Sequence, residues 1–223
     1  MGTLTLTYRQ LSLAVKYSSV LFPFDHLQFL RALSKQDFFV PEAIREQSVP
    51  LGAKVEISGI VGRKGEVSVR IDANRQILGV HAPDINSLTT EMDSIESLLK
   101  NEFDLDSSSL SHYYEFLAGL TIRAKGNPLE SWPTHFIAVP ILKKASAALG
   151  MEVSPFGVRL TPTGEVPNQV NWFEIRIEPL VGSAAHHHSI EVIFRHSQRN
   201  EVFAFVQKFE DVLGALMSLV EEE

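Results

Sequence analysis

A four-residue pattern that occurs twice constrains the fold of this chain more than any other feature. The two copies read Val69-Arg70-Ile71-Asp72 and Ile175-Arg176-Ile177-Glu178. Successive side chains of a strand point to opposite faces, so each copy predicts a strand with one buried and one solvent-exposed face. The positions predicted to be buried, with both arginines facing away from them, are Val67, Val69, Ile71, Phe173, Ile175 and Ile177.

The chain around the two copies also repeats in the same order. The further matches are Leu13-Ala14-Val15-Lys16 with Leu120-Thr121-Ile122-Arg123, Phe22-Pro23 with Trp132-Pro133, and Met92-Asp93-Ser94-Ile95 with Phe209-Glu210-Asp211-Val212. Matches this short also occur by chance between unrelated α+β halves, but their constant order favours duplication. We therefore predict an α+β fold built by tandem duplication of a β-α-β-β-β-α unit, with the helices on one face of an antiparallel sheet.

The predicted units are residues 1–103 and 110–223, joined by an acidic, serine-rich linker at residues 104–109. Each unit leaves one face of its sheet without helices. Two such units can also join their sheets edge to edge and form one continuous domain. That arrangement is similar, in element order alone, to the fold of TATA-binding proteins, and it serves here as a topological analogy.

Local patterns predict several elements in more detail. Alternation over residues 3–16 predicts a long first strand, and a shift of face between Leu6 and Leu11 predicts a bulge or bend in it. Asp25 is placed as the N-cap of the following helix. Gly62-Arg63-Lys64-Gly65 is interpreted as a hairpin turn, because no helix follows it as in a phosphate-binding loop. A strong C-terminal helical stripe is formed by Val202, Phe205, Phe209, Val212, Leu216 and Leu219.

The bulk composition excludes several classes of protein. The 223 residues include no cysteine, which excludes disulfides, thiolate nucleophiles and cysteine-ligated metal sites. No apolar run approaches the roughly 18 residues that a membrane-spanning helix needs, and the first residues do not form a signal peptide. A cytoplasmic protein without a membrane partner is therefore predicted. The formal net charge of −7 disfavours nucleic acid as a partner, since phosphate binding requires a basic surface.

A histidine tract is the most conspicuous candidate for metal binding. Neutral imidazole is a good ligand for zinc, copper or nickel, and three histidines are adjacent at positions 186–188. In a strand His186 and His188 point to the same face, so these two are the candidate ligands, whereas His187 points away. A polar flank of the hairpin turn is the simpler explanation of the tract. We therefore predict neither a metal site nor a cofactor.

The charged side chains of the predicted exposed face are the candidate binding residues. They are Arg70, Asp72, Glu174, Arg176 and Glu178. Each of these carboxylates has an arginine two residues away on the same face, which favours charge pairing over acid–base catalysis. No nucleophile elbow or phosphate-binding loop occurs in the sequence, and we assign no catalytic residue.

The sequence therefore favours a non-catalytic binding or assembly protein that uses an open sheet face. A face of mixed charges suits a protein partner or a second copy of the chain, because opposite charges pair across an interface and fix its register. Two alternatives stay open. One is an enzyme with a small-molecule pocket between sheet and helices, and the other is a nucleic-acid-binding saddle.

Overall fold

One open antiparallel sheet of eight strands forms the frame of the computed structural model. The strands are β1 (Leu6–Tyr17), β2 (Gly59–Lys64), β3 (Val67–Asp72), β4 (Ile77–His81), β5 (Ser111–Arg123), β6 (Val158–Leu160), β7 (Trp172–Pro179) and β8 (His187–His196). Their order across the sheet is β2-β3-β4-β1-β5-β8-β7-β6. The structure describes residues 5–19, 22–41, 57–123, 127, 140–167, 170–180, 182 and 187–221.

Six helices accompany the sheet in the described part of the chain, so the fold is α+β as predicted. They are α1 (His26–Ser34), α2 (Ile85–Phe103), α3 (Ser107–Leu110), α4 (Pro140–Leu149), α5 (Arg199–Gln207) and α6 (Phe209–Glu221). The aspartates at positions 25, 84 and 106 begin α1, α2 and α3, and each carboxylate accepts a backbone N–H of the first turn. These bonds satisfy donors that a helix leaves unpaired, and they confirm Asp25 as a predicted N-cap.

The two halves of the chain meet at the centre of the sheet, where β1 pairs with β5. The pairing covers nearly the whole length of both strands and starts with Leu6 opposite Ile122. A register shift between Tyr8 and Gln10 confirms the bulge that the change of face predicted in the first strand. Because this central pair belongs to both halves, the sheet is continuous from one half of the chain to the other.

The sheet buries one face beneath the helices, and we call it the helix face. Val69, Ile71 and Ile177 are fully buried there, in one cluster with the buried residues of α2, α5 and α6. Val67 and Ile175 are buried as well, which confirms the predicted register of β3 and β7. Phe173, also predicted to be buried, is only partly buried against this cluster.

The other side of the sheet carries the alternate residues of each strand, and we call it the open face. Arg70 is exposed on this side and Arg176 is partly exposed, as predicted from the alternation. Both arginines therefore point away from the buried side chains of their own strands.

Two local predictions were wrong. The Gly62-Arg63-Lys64-Gly65 segment is not a turn, because β2 continues through Lys64 and the chain reverses at residues 65–66. Gly65 supplies the positive φ of 59° that this reversal uses. In the C-terminal stripe, the helix is divided at Lys208, where the backbone leaves the helical region with φ −99° and ψ 3°.

This division changes which residues of the stripe are buried. The buried side chains of α5 and α6 are Val202, Phe203, Val206, Phe209, Leu213 and Met217. Phe205 and Leu216 pack only partly against the core, and Val212 is only partly buried. Phe209 was correctly placed in the core, and its ring meets that of Phe116 of β5 edge-on, with 5.0 Å between centroids.

The two edges of the sheet differ in form. At one edge β6 is only three residues long. At the other edge β2 carries an irregularity between Ile60 and Gly62, and Phe39 forms an isolated bridge with Arg63 on its outer side. The Phe39 and Arg63 backbones exchange two hydrogen bonds, of 2.7 and 3.0 Å.

The segment predicted as a linker, residues 104–109, connects α2 to β5 through the single turn of α3. Asp104 ends α2 in a left-handed conformation, and its N–H bonds to the Lys100 carbonyl at 3.1 Å. Ser107 is buried, with its hydroxyl 3.3 Å from the Tyr17 hydroxyl of β1.

Replacing Phe209 by alanine tests the packing of the C-terminal helix. Phe209→Ala should lower the free energy of unfolding by about 3–5 kcal/mol, because a fully buried ring is removed from a closely packed cluster. Urea denaturation measures the change. Val212→Ala, at a partly buried position on the same helix, is the control and should cost less than about 1.5 kcal/mol. Equal effects of the two variants would contradict the observed packing.

Candidate functional site

The sheet places all five predicted binding residues on the open face. Arg70 and Asp72 lie on β3, and Glu174, Arg176 and Glu178 lie on β7. Four strands, β4, β1, β5 and β8, lie between β3 and β7 in the sheet order, so the two groups lie towards opposite edges. They are parts of one face and do not form a single constellation of contacting side chains.

On the second half, these side chains belong to a set of paired charges that we call the charge ladder. The charge ladder consists of Arg159, Glu174, Arg176, Glu178 and Glu191. Arg159 Nη2 lies 2.6 Å from Glu174 Oε2, and Arg176 Nη1 lies 3.2 Å from Glu191 Oε2. Arg176 also reaches Glu174 and Glu178, at 3.4 and 3.9 Å. The ladder is therefore an internally paired network at the surface, in which three carboxylates outnumber two arginines.

A glycine makes room for this network at the edge of the sheet. A Cβ atom at Gly157 would lie 2.5 Å from Glu178 Cγ and 2.9 Å from the Ile177 carbonyl oxygen. Such contacts are far inside van der Waals distance, so only glycine allows the chain before β6 to approach β7 this closely.

The corresponding charges on the first half are arranged differently. The cross-strand neighbours of Arg70 are Ile60 and Gly79, and neither carries a charge. Asp72 accepts the Arg75 backbone N–H at 3.1 Å. Within the described residues Arg70 makes no ion pair, so the expectation that it pairs with Asp72 two positions away was wrong.

A third charged group on the open face was not predicted. Arg195 of β8 stands opposite Glu115 of β5, and its Nε and Nη2 atoms donate to Glu115 Oε2 at 2.9 and 2.5 Å. The guanidinium also stacks on the Tyr113 ring, 4.5 Å from its centroid. Trp172 is the cross-strand partner of Arg195 on the other side. The available signal was a charged residue flanked by apolar or aromatic residues, as Glu115 is between Tyr114 and Phe116.

A polar junction joins the two halves on the helix side of the molecule. Arg199, at the start of α5, donates through Nε to Glu96 of α2 at 2.7 Å and also pairs with Asp93. The Tyr114 hydroxyl of β5 donates to the other oxygen of Glu96 at 2.7 Å. Burial and the Glu96 carboxylate raise the pKa of Tyr114, so its hydroxyl stays protonated as a donor.

An open cavity of about 320 Å³ lies beside this junction. Its lining residues are Asp93, Glu96, Ser97, Lys100, Leu105, Asp106, Ser107, Ser108 and Arg199. Of the ionisable groups in the lining, Asp93 and Glu96 are already paired with Arg199. The cavity lies between helices, whereas the sequence placed a small-molecule pocket between helices and sheet.

The histidine tract is divided between the two faces of β8. His188 is buried on the helix face opposite Ile122, and His187 stands opposite Arg123 on the open face. His186 lies outside the described residues. Burial lowers the pKa of His188 to about 4. Among the described residues no group of three or more histidine, aspartate or glutamate side chains is arranged to hold a metal ion.

Comparison with known proteins gives no family assignment. The sequence matches no protein-family model, and it has no significant match among curated proteins. Of the helices in the described ranges, none combines the length and the apolar character needed to cross a bilayer. The site must therefore be interpreted from its own geometry.

Removing Arg195 tests whether the Glu115 pair is part of the scaffold. Arg195→Ala should lower the free energy of unfolding by about 3 kcal/mol, since it leaves a buried carboxylate unpaired. Arg176→Ala removes an arginine from the exposed ladder and should cost less than about 1 kcal/mol. Urea titrations of both variants measure the difference. A combined Glu115→Leu and Arg195→Met variant should recover most of the loss, and equal costs for the two single variants would refute the distinction.

His188 should make stability depend on pH in mildly acidic solution. The folded protein keeps this imidazole neutral down to about pH 4, whereas an unfolded chain protonates it near its ordinary pKa of 6.5. The unfolded state then binds more protons, so the free energy of unfolding should fall as pH is lowered from about 6.5 to 4. His188→Leu should remove this component. Parallel stability curves for the two proteins in that pH range would count against it.

Proposed function

We propose that this protein acts by binding another polypeptide, either a partner protein or a second copy of the chain, through the open face of its sheet. The observation that carries the proposal is the separation of roles between the two faces. The helix face holds the apolar cluster, and the open face holds charged side chains at fixed cross-strand positions. Fixed charges of both signs favour recognition of a complementary surface.

The arrangement of the carboxylates supports binding over catalysis. General acid–base work needs two titratable groups whose environments hold them in different protonation states. On the open face Glu174 and Glu191 instead form ion pairs with Arg159 and Arg176. Such groups suit charge recognition better than proton transfer.

The proposal includes a duplicated architecture. Counted from the centre outwards, the first half runs β1, β4, β3, β2 and the second runs β5, β8, β7, β6, which is the same order of corresponding strands. Arg70 and Arg176 then occupy corresponding strands. The series of cross-strand partners that starts at Arg70 reaches β1 at Ala14, and the series that starts at Arg176 reaches β5 at Gly119. A twofold axis that exchanges Ala14 with Gly119 passes between Ser12 and Leu117, which are paired in the sheet.

The two halves have also diverged in this proposal. Helix α1 buries Phe29, Leu30 and Leu33, whereas the corresponding α4 buries none of its side chains. If the axis instead exchanges Leu13 with Leu120, as their sequence match suggests, it passes between the paired residues Leu11 and Ala118. That position is one residue pair away from the axis that the two arginines define. A small relative shift of strands between the halves accounts for the difference.

Reversing both arginines tests the open face as the binding surface. Arg70→Glu with Arg176→Glu should leave the fold intact, with a stability loss below about 2 kcal/mol, because exposed ion pairs contribute little. It should abolish self-association in sedimentation velocity or capture of one reproducible partner in a pull-down. Arg70→Gln with Arg176→Gln gives the same test without added repulsion.

The chain offers a charge-matched control for this experiment. Lys143 and Lys144 are exposed on α4, away from the sheet strands, and reversing both changes the net charge by the same amount. The Lys143→Glu, Lys144→Glu variant should keep its assembly and its partner. A folded arginine variant whose assembly and partner are both unchanged would remove the open face from the proposal.

A further inference from the structure

Four exposed side chains lie together at the β2 edge of the open face, and we call them the edge patch. The edge patch consists of Phe39, Ile60, Arg63 and Arg70. Phe39 and Ile60 are 71% and 44% exposed, which places them among the large apolar side chains that the fold leaves in solvent. Both arginines are exposed as well.

Backbone pairing brings the members of the edge patch to the same side of the sheet. Phe39 and Arg63 exchange both of their backbone hydrogen bonds, so they are directly opposite and their side chains leave the sheet on one face. Arg63 in turn stands opposite Ser68, and Ile60 stands opposite Arg70. Ser68 and Arg70 alternate with the buried Val69, which places the whole set on the open face.

The two arginines of the edge patch are not neutralised by any side chain in the part of the chain that the structure describes. Within the described ranges neither Arg63 nor Arg70 contacts a carboxylate. The neighbouring Lys64, which points to the helix face, does pair with Glu91, at 3.1 Å. Two uncompensated cations are therefore held close together on a chain whose formal net charge is −7.

Arginine and aromatic side chains at one exposed spot are the residue types enriched where proteins bind other proteins. We infer that the edge patch binds an acidic polypeptide segment, with the two guanidinium groups on its carboxylates and the Phe39 and Ile60 side chains against its apolar residues. This inference rests on the proposed function, and it assigns partner recognition to the first half of the face.

The rest of the open face explains why the ligand is a short acidic segment and not a nucleic acid. Glu174, Glu178 and Glu191 lie on the same face towards the opposite edge. A long polyanion that crossed the sheet from the edge patch would approach these carboxylates, which repel it. A segment that stays along β2 and β3 meets both arginines and, at the end of β3, the Asp72 carboxylate. Guanidinium groups bind carboxylates in charge-assisted, often bidentate, hydrogen bonds.

Fluorescence anisotropy with defined probes tests the inference on the full chain. The probe is a short labelled peptide of alternating glutamate and leucine, titrated at low salt against the wild type. Its counterparts are the same peptide with lysine in place of glutamate and a single-stranded oligonucleotide of equal charge. We expect saturable binding of the glutamate peptide, weakened at least about tenfold by Arg63→Glu with Arg70→Glu. The Lys143→Glu, Lys144→Glu variant should bind as the wild type does.

A second variant separates the apolar contribution from the charge. Phe39→Ser with Ile60→Ser leaves both arginines in place and should weaken the glutamate–leucine peptide, with a smaller effect on a glutamate–glycine peptide. Circular dichroism and thermal melts confirm that each variant is folded before it is titrated.

Each contrary result has a definite meaning. No binding of the glutamate–leucine peptide, equal weakening by the lysine variant, or tighter binding of the oligonucleotide would overturn the inference. Loss of assembly in the Arg70 and Arg176 double variant, together with failure of the peptide to bind, would overturn the edge patch and leave the open face as the binding surface. If the Arg70 and Arg176 variant keeps its assembly and partner, and the Arg63 and Arg70 variant binds the peptide as the wild type does, both proposals are wrong.

Discussion

The antiparallel pairing of β1 with β5 is the constraint on which the rest of this structure depends. It joins segments about a hundred residues apart in sequence, and the remaining strands pair outwards from these two. The Arg199–Glu96–Tyr114 junction ties the same two halves together on the helix side. Buried side chains of both halves also belong to one apolar cluster.

The sequence was most informative where the pattern is local. Alternation predicted the buried and exposed faces of β3 and β7, and the change of face between Leu6 and Leu11 predicted the bulge of β1. The sequence could not predict contacts that depend on which strands become neighbours in the sheet. The Arg195–Glu115 pair joins β8 to β5, and the isolation of Arg70 follows from Gly79 being its partner, so neither is visible without strand order and register. The break between α5 and α6 at Lys208 was also not predictable, because no glycine or proline stands beside that residue.

The two ends of the open face show how the same strand pattern produces different surfaces. Arg176 is surrounded by three carboxylates because β8 presents Glu191 beside it, whereas the strand that neighbours Arg70 presents a glycine. The four-residue motif is therefore not itself a site. The adjacent strand decides which charges surround the motif's arginine.

The form of the sheet edges limits how the molecule can associate. A long, flat outer strand is a template on which another chain can extend the sheet, and natural proteins suppress this by shortening, bending or covering their edge strands. Here β6 offers only three residues, and β2 is irregular between Ile60 and Gly62 and bridged by Phe39. Growth into a longer sheet or a fibril is therefore disfavoured at both edges of the described sheet.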